Sequence, residues 1–381
     1  MAERPRKTVI AAVYPLASGA AQFNAALVKA MARTSETELF SWRRMYPPLL
    51  YRGQEIDTSS QAPRGPRAAL LLDWQDPRTW REALRRIAEF QADALVLPWL
   101  HPVMTPPYRY LLRHTPRSTA RAVICHNVLP HEPLPGFKLL TRAVLRHADV
   151  LVTHAPHQRG ELAALGLAGT PLVEAFHPRF VAADLAPEAS DQEIAANRAR
   201  LGNPDLLLIA FGSVRRYKGI DLALDALALV DPSLDVRLIV AGRFWSCRDE
   251  LRQRAERLGL GERVEFRDGF VSNEQAAQLF GAAHAALLPY RSASQSGVIQ
   301  LAFAYGRPVI TTSVGGLPAS VEHGRDGLLC APGDPLALAN AIETMASDHA
   351  ILAAGVRARG EESSFDRYSD LLDAALVGGR A

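Results

Sequence analysis

Residues 211–227 read FGSVRRYKGIDLALDAL and place a basic loop between two regular elements. An apolar strand pattern ends at Gly212, and a helical pattern begins after Lys218 and Gly219. At the carboxyl edge of a parallel strand, such a loop lies beside a helix N-terminus, where backbone N–H groups and cationic side chains both favour an anion. The sequence therefore predicts a diphosphate site whose members are Gly212, Ser213, Arg215 and Lys218. Taken alone, RRYKG is explained equally well as a solvated basic turn.

A second turn of the same kind lies in PYRSASQSGVIQLAFAYG (289–306). Its Ser/Gly-rich part directly precedes a helical pattern, so backbone N–H groups and the helix dipole again favour an anion. The predicted donor-binding residues of this turn are Ser294, Gln295, Ser296, Gly297 and Val298. Gly315 and Gly316 then permit a close backbone turn at the end of the next strand. One domain thus carries two predicted anion sites.

Strand and helix patterns alternate along the rest of the chain. Apolar strand patterns such as TVIAAVYP (8–15) and LLLIAF (206–211) each precede a helical pattern, which predicts parallel sheets with helices on both faces. The Pro-rich and polar segment 176–205 breaks this alternation and is typical of a linker. We therefore predict two domains with a boundary near residue 180, the first over 1–180 and the second over 181–360.

Length and composition agree with two packed domains. A chain of 381 residues exceeds what one core usually supports, and 48% hydrophobic with 22% charged residues excludes disorder. Cys125, Cys247 and Cys330 are far apart with no CxxC spacing, which argues against a disulfide framework or a zinc cluster and fits a reducing cytoplasm. With no signal-peptide pattern and no run of ~18 apolar residues, we expect a cytoplasmic protein outside the bilayer.

Positive charge is concentrated in the first half. Residues 1–180 contain 23 Lys+Arg and 14 Asp+Glu (+9), which leaves 20 and 26 (−6) for the rest. The helical pattern FKLLTRAVLRHAD (137–149) spaces three basic residues four apart on one face, namely Lys138, Arg142 and Arg146. A solvated helix face explains this pattern best, and peripheral contact with the inner face of a membrane is the alternative. No nucleic-acid partner is expected, because no aromatic-interleaved basic motif accompanies the charge.

Four segments in order carry a family resemblance: FGSVRRYKGID, LIVAG, RVEFRDGFVSNEQAAQLFGAAHAALLPY and AYGRPVITTSVGGLPASVEHGRDGLLCAPGD. The chain resembles the retaining glycosyltransferases of family 4, the "group 1" family with the GT-B fold. This resemblance implies an α/β fold of two Rossmann-like parallel-sheet domains facing each other across a cleft, with residues 361–381 as a terminal helix crossing back to the first domain. It also implies retaining transfer from a nucleotide diphosphate sugar to a glycan, lipid-linked or small-molecule acceptor.

The resemblance assigns roles to individual residues. The catalytic residues it implies are His126, Arg215 and Lys218. Donor contacts in the first domain would come from Gly19 and Ala20. The base and ribose would lie against Gly269, Phe270 and Val271, with Gln300 beside them. Weaker acceptor candidates are His101 and His131. No metal or other cofactor is expected, since two basic side chains can take the role of a divalent cation.

One departure from the family pattern stands in the second turn. Family members typically carry two glutamates eight residues apart, and here those positions hold Ala293 and Leu301. Ser294, Gln295 or Gln300 could supply hydrogen bonds in their place, although a neutral amide does not supply the charge. The alternative function is a non-catalytic protein of this fold that binds a nucleotide sugar or a partner enzyme. An epimerase or phosphorylase is less favoured, because its lysine or carboxylate set is not recognisable.

Overall fold

The computed structural model describes residues 6–13, 19–45, 67–130, 134–182, 186, 189–245, 248–293, 295–360 and 362–378. The chain forms two compact units. The first unit takes in the described residues up to Pro178 and again from Ser364 onward, and the second runs from Arg179 to Ser363. Two residues of the predicted site, His131 and Ser294, lie outside the described residues.

In the described part of the first unit, seven parallel strands form one sheet in the order β3-β2-β1-β4-β5-β6-β7. The central strands are continuous apolar runs buried on both faces, as a sheet covered by helices requires. The strands are β1 Arg6–Ala11, β2 Ser35–Arg44, β3 Ala68–Asp73, β4 Ala94–Trp99, β5 Ala120–Cys125, β6 Val150–Thr153 and β7 Leu172–Glu174. The helices are α1 Gly19–Met31, α2 Pro77–Glu89, α3 Thr105–His114, α4 Phe137–Leu145, α5 His157–Ala164 and, from the end of the chain, α13 Phe365–Gly378.

In the described part of the second unit, six parallel strands form a sheet in the order β10-β9-β8-β11-β12-β13. The strands are β8 Leu206–Phe211, β9 Val236–Gly242, β10 Val264–Asp268, β11 Ala285–Leu288, β12 Val309–Thr312 and β13 Gly327–Cys330. The helices are α6 Asp191–Arg200, α7 Ile220–Leu229, α8 Arg248–Arg257, α9 Asn273–Ala282, α10 Gly297–Ala304, α11 Leu317–Ser320 and α12 Pro335–Ala358. The predicted α/β class, with a parallel sheet in each of two units, is confirmed.

Local sequence signals account for several helix starts. Ser190 and Ser272 each begin a capping box, at α6 and α9, in which the side chain accepts from the N3 backbone N–H. Asp334 caps α12, whose first residue is Pro335. The segment 176–205, interpreted from its sequence as a linker, therefore contains a capped helix, because the Ser190 box outweighs the polar composition.

Each unit has its own apolar core. In the second unit, the buried side chains of β8 and β9 pack with those of α7 and α12, among them Leu208, Val240 and Leu338. In the first unit, Trp99 and Tyr108 are among the largest fully buried side chains. Burial of each large apolar side chain contributes about 1.5–3 kcal/mol, so the strands that carry the loops described below are firmly held.

Candidate functional site

The strand order of the second sheet reverses between β8 and β11. From β8 the chain moves outward through β9 to β10, and then returns to the other side of β8 to form β11. In open parallel sheets, the loops after the two strands at such a switch point diverge and leave a crevice at the carboxyl edge. Here those loops are 212–219 and 289–296, the two turns predicted to hold an anion.

Lys218 occupies the turn after β8. The turn contains a short 3-10 segment, Arg216–Lys218, and Gly219, with a φ of 65°, is the N-cap residue of α7. Lys218 is only 7% exposed, and its Nζ donates to the carbonyl oxygen of Phe211 at 2.9 Å. Burial lowers the pKa of this ammonium group. A Cβ on Gly212 would lie 3.1 Å from Nζ. Because glycine has no side chain, the ammonium group lies beside main-chain atoms at the end of the strand.

The other polar residues of this turn have separate partners. The guanidinium carbon of Arg215 lies 4.3 Å from the centre of the Trp245 ring. Arg216 instead pairs with Glu250 at 2.8 Å, where both side chains are exposed. Ser213 is exposed at the tip of the turn. Arg216 therefore contacts a carboxylate of α8, whereas Arg215 contacts an aromatic ring.

The turn after β11 leads into α10 through a buried serine. Ser296 is the N-cap residue, and Gly297 and Val298 form the first turn of the helix. The side chain of Ser296 hydrogen-bonds the hydroxyl of Tyr290, whose pKa burial raises to about 12. A methyl group of Val298 lies 3.8 Å from the Cβ position of Gly212. The start of α10 therefore lies directly against the turn after β8.

Arg291 joins the two turns. Its Nη1 and Nη2 donate to the two carboxylate oxygens of Asp221, each at 2.7 Å. Nη1 also donates to the carbonyl oxygen of Arg216 at 3.1 Å, and the backbone N–H of Arg291 donates to the carbonyl oxygen of Tyr217 at 2.7 Å. A bidentate arginine–carboxylate pair fixes orientation as well as distance. Arg291 thereby sets the position of the second turn relative to the first.

The positions of the absent glutamate pair are apolar and buried. Ala293 and Leu301 both lie in the protein interior. The turn at Gly315 packs closely on this segment, because a Cβ at residue 315 would clash with the carbonyl oxygen of Ala293. Gln295 is half-buried just before the helix. Gln300 is 3% exposed, and among the described residues its Oε1 has no hydrogen-bond partner. A buried amide oxygen in this state favours a donor supplied by a ligand or a water molecule.

The three residues predicted to face the base and ribose line one pocket. Gly269, with a φ of 135°, follows β10, and Phe270 is 41% exposed. With Val271 they border a pocket of about 250 Å³. Its polar walls, which the sequence analysis did not foresee, come from α6 and α9 and include Asn197, Arg200, Gln275 and Gln278. A pocket of this size suits one part of a ligand rather than a whole drug-sized molecule.

His126 follows β5 in the first unit and is buried. Its ring lies edge-on to Phe23 with centroids 4.5 Å apart, and 5.5 Å from the ring of His154. Burial, and secondly the proximity of His177, lower the pKa of His126 to about 3. The imidazole is therefore neutral near pH 7, where it can donate or accept a hydrogen bond but does not act as a cation.

The remaining first-unit candidates lie at helix starts. Gly19 and Ala20 are the first residues of α1. His101 follows β4, and its Nδ1 accepts from the backbone N–H of Val103 at 3.1 Å, which caps a short 3-10 turn. Burial lowers the pKa of His101. This capping role was not foreseen, and the acceptor contact of His101 stays a prediction.

Lys138 and Arg142 of α4 and Arg146, its C-cap residue, are exposed. Leu139 is 74% exposed and Leu140 is also exposed, whereas Val144 is buried in the core. The charges of Arg146 and of Arg113 and Arg109 from α3 add to burial in lowering the pKa of His147, which marks this surface as positive. In the described part of the chain, no helix has the length and apolar character needed to cross a bilayer. Within the same residues, no group of three or more His, Cys, Asp or Glu could hold a metal ion.

Residues 205–348, which contain both turns, match the profile of the glycosyl transferases group 1. The match covers a continuous region of the second unit. The D-inositol 3-phosphate glycosyltransferase of Streptomyces scabiei is 35% identical over 246 residues, 60% of this chain and 52% of that protein. D-inositol 3-phosphate glycosyltransferase 1 of Catenulispora acidiphila is 33% identical over 257 residues, 62% of this chain and 60% of that protein. The chain thus spans about half to three-fifths of the length of these two relatives.

Solved structures share the fold of this chain along almost its whole length. HepE of Anabaena in complex with UDP has a TM-score of 0.73 at 18% identity, covering 98% of this chain and 100% of that one. The sucrose-phosphate synthase of Thermosynechococcus elongatus has a TM-score of 0.72 at 18% identity, covering 98% of each chain. The predicted GT-B fold class is therefore confirmed.

Three groups of residues near the predicted site were not predicted from the sequence. Arg291 and Trp245 are each joined to the first turn by long-range contacts. The walls of the pocket from α6 belong to a helix in the segment interpreted as a linker. The sequence did contain a signal for Arg291, because this basic residue follows the end of β11 and the acidic residue Asp221 follows the turn after β8. Pairing the two residues requires knowledge of the strand order.

Proposed function

We propose that this chain is a group 1 glycosyltransferase, which transfers a sugar from a nucleotide diphosphate sugar to a glycan, lipid-linked or small-molecule acceptor with retention of configuration. One observation carries the proposal. At the switch point, the Nζ of Lys218 and a methyl group of Val298, at the start of α10, both lie within 4 Å of the Cβ position of Gly212. A buried ammonium, backbone N–H groups and a helix N-terminus together favour a diphosphate. HepE, which has the same fold, is described in complexes with UDP and with UDP-glucose.

In the proposed reaction, the bond between the sugar C1 and the diphosphate oxygen breaks and the acceptor oxygen bonds to C1. The bonding electron pair leaves with the diphosphate, and the acceptor hydroxyl gives its proton to the departing diphosphate oxygen. Negative charge thus develops on the departing phosphate, where Lys218, Arg215 and the N–H groups of α10 stabilise it. Because these groups are cationic or dipolar, the proposal requires no divalent metal.

The nucleoside part of the donor is assigned to the pocket beside Gly269, Phe270 and Val271. The exposed Phe270 offers an apolar face for a base, and Gln300 offers a buried acceptor oxygen to a ligand donor. In the first unit, His126 is assigned a hydrogen bond to a sugar hydroxyl. Its low pKa supports this role and does not support proton donation by an imidazolium.

A donor panel tests the proposal. Purified protein is titrated with UDP, GDP, ADP and TDP, and release of nucleoside diphosphate from the matching sugars is then followed with and without acceptors. We expect one nucleotide to bind and its sugar to be turned over, with the same rate in excess EDTA. Binding of none of the four, by a protein shown to be folded, would refute the proposal.

The same assay separates a second candidate function, a non-catalytic nucleotide-sugar-binding protein. Ala293 and Leu301 favour it, because no carboxylate stands at either family position. Nucleotide binding without hydrolysis or transfer across a broad acceptor set would support the binding protein. Turnover of a bound donor would exclude it.

We further propose peripheral contact with the inner face of an anionic membrane through α4. The combination of the exposed basic residues with Leu139 and Leu140 supports this contact, since leucines enter the headgroup region while basic residues hold anionic lipid. Flotation with vesicles containing phosphatidylglycerol should retain the wild type. A variant with glutamate at Lys138, Arg142 and Arg146 should remain in solution, and equal retention of both would refute the contact.

A further inference from the structure

Trp245 lies beyond the end of β9, beside the turn that follows β8. The two strands continue to pair past the sheet, because the backbone N–H of Val214 donates to the carbonyl of Arg243 at 2.8 Å. The N–H of Trp245 in turn donates to the carbonyl of Val214 at 3.2 Å, and Val214 and Phe244 form an isolated parallel bridge. This short extension places the side chain of Trp245 next to that of the residue after Val214, which is Arg215.

The ring and the guanidinium group are in contact. The guanidinium carbon of Arg215 lies 4.3 Å from the centre of the Trp245 ring, within the range of a cation–π interaction. Trp245 remains 38% exposed, so a large apolar ring stays at the carboxyl edge of the sheet rather than in the core. Tryptophan is the aromatic residue that binds a cation best. The contact therefore restrains an otherwise flexible side chain beside the proposed diphosphate site.

The neighbouring arginine, Arg216, is held by a carboxylate instead of an aromatic ring. Arg216 is held by Glu250 through its Nη2, so its N–H donors face a carboxylate that competes with any anionic ligand. The Trp245 ring carries no formal charge, so its contact with the guanidinium restrains Arg215 without itself neutralising the positive charge.

We propose that Trp245 is a positioning residue for the donor diphosphate, acting by holding the guanidinium of Arg215 at the turn after β8. The inference rests on the proposed function, because it takes Arg215 as a phosphate ligand. In this proposal Trp245 acts through its contact with Arg215. Its effect should therefore concern ligands that carry a diphosphate and should depend on the presence of Arg215.

A double-mutant cycle tests the proposal on the full-length chain. Trp245→Ala, Arg215→Ala and the double variant are titrated with the nucleoside diphosphate that the wild type binds and with the corresponding nucleoside. Trp245→Phe serves as the conservative variant, and Leu229→Ala removes another exposed apolar side chain of the same unit as a matched control. Thermal unfolding of every variant is measured alongside.

We expect Trp245→Ala to weaken nucleoside diphosphate binding about 3- to 10-fold, as loss of a partly exposed cation–π contact implies. Nucleoside affinity should stay unchanged, Trp245→Phe should recover most of the loss, and Trp245→Ala should have no further effect in the Arg215→Ala background. A loss of equal size in both backgrounds, or a loss for the nucleoside as well, would overturn the proposal and assign the ring to the ligand itself. If the wild type binds a nucleotide and Trp245→Ala binds it equally well, the inference fails alone. If the wild type binds none, the proposed function fails with it.

Discussion

Replacing Lys218 by methionine should make the ligand-free protein more stable and the donor complex weaker. The ammonium group is 7% exposed, and burial lowers its pKa, which means that the folded state disfavours the charged form. At pH values below the lowered pKa, the free-energy cost of burying the charged ammonium group is present in full. Between the lowered pKa and the ordinary value near 10.5, the unfolded chain binds the proton more tightly than the folded chain does, so stability rises with pH across that window. Methionine keeps the stem and removes the cost.

The magnitude of each effect follows from the contacts of Nζ. A charge-assisted hydrogen bond to a phosphate oxygen contributes about 1.5–3 kcal/mol, so its loss weakens diphosphate binding by roughly 10- to 150-fold. Loss of the 2.9 Å hydrogen bond to the Phe211 carbonyl offsets part of the gain in stability. Each kcal/mol of net gain raises Tm by about 2–4 °C for a domain of this size. Binding to wild-type protein should also weaken as pH rises through the lowered pKa, because the neutral amine no longer attracts phosphate.

Calorimetric titration with the preferred nucleoside diphosphate, together with thermal unfolding in the absence of ligand, measures both effects. Lys29→Met is a matched control, because Lys29 is an exposed lysine of α1 in the first unit. It should change neither affinity nor Tm beyond experimental error. A Lys218→Met variant that binds within twofold of the wild type would refute the assignment of Lys218 to the diphosphate. A fall in its Tm would refute the argument from burial.

Four further substitutions test the surroundings of the turns. Arg291→Lys should weaken donor binding about 3- to 10-fold, because it loosens the bidentate pair with Asp221. Asp221→Asn should add little further loss in the double variant, since both changes break the same pair. Titration of the two single variants and the double variant measures this. Gly315→Ala should lower Tm by several degrees, because the φ of residue 315 is 53° and the new Cβ would clash with the carbonyl oxygen of Ala293. A Tm equal to that of the wild type would contradict the described turn. Gln300→Leu should leave Tm unchanged or higher while reducing nucleotide affinity, and a marked loss of stability would show that the amide is satisfied within the protein.

Local pattern was enough to predict much of the fold. The helix after Gly219 begins at Ile220, the helix after the Ser/Gly-rich turn begins at Gly297, and the strand after Pro308 begins at Val309, because turn residues and apolar runs act on their immediate neighbours. The pairing of strands into two parallel sheets follows from the same alternation. The roles assigned to the residues of these turns remain predictions.

Other features depended on strand order and packing, which a single sequence does not display. Arg291 meets Asp221 across 70 residues because β11 lies next to β8. The burial of His126 depends on Phe23 from α1, far from it in the chain. Polar composition at 176–205 suggested a linker, yet the Ser190 capping box starts α6 there and brings Asn197 and Arg200 to the pocket.

The buried histidines of the first unit link proton uptake to the packing of the last helix. Burial lowers the pKa of His126 to about 3 and that of His177 to about 4, and it lowers the pKa of His154 as well. In the unfolded chain such groups take up protons below pH ~6.5, whereas the folded chain resists until far lower pH, so stability is lost as acid is added across that window. The Nε2 of His154 and the hydroxyl of Tyr368 in α13 are 2.9 Å apart in space and 214 residues apart in the chain. Acidification is therefore expected to weaken the end of β6 and the final helix together, as one cooperative event rather than two.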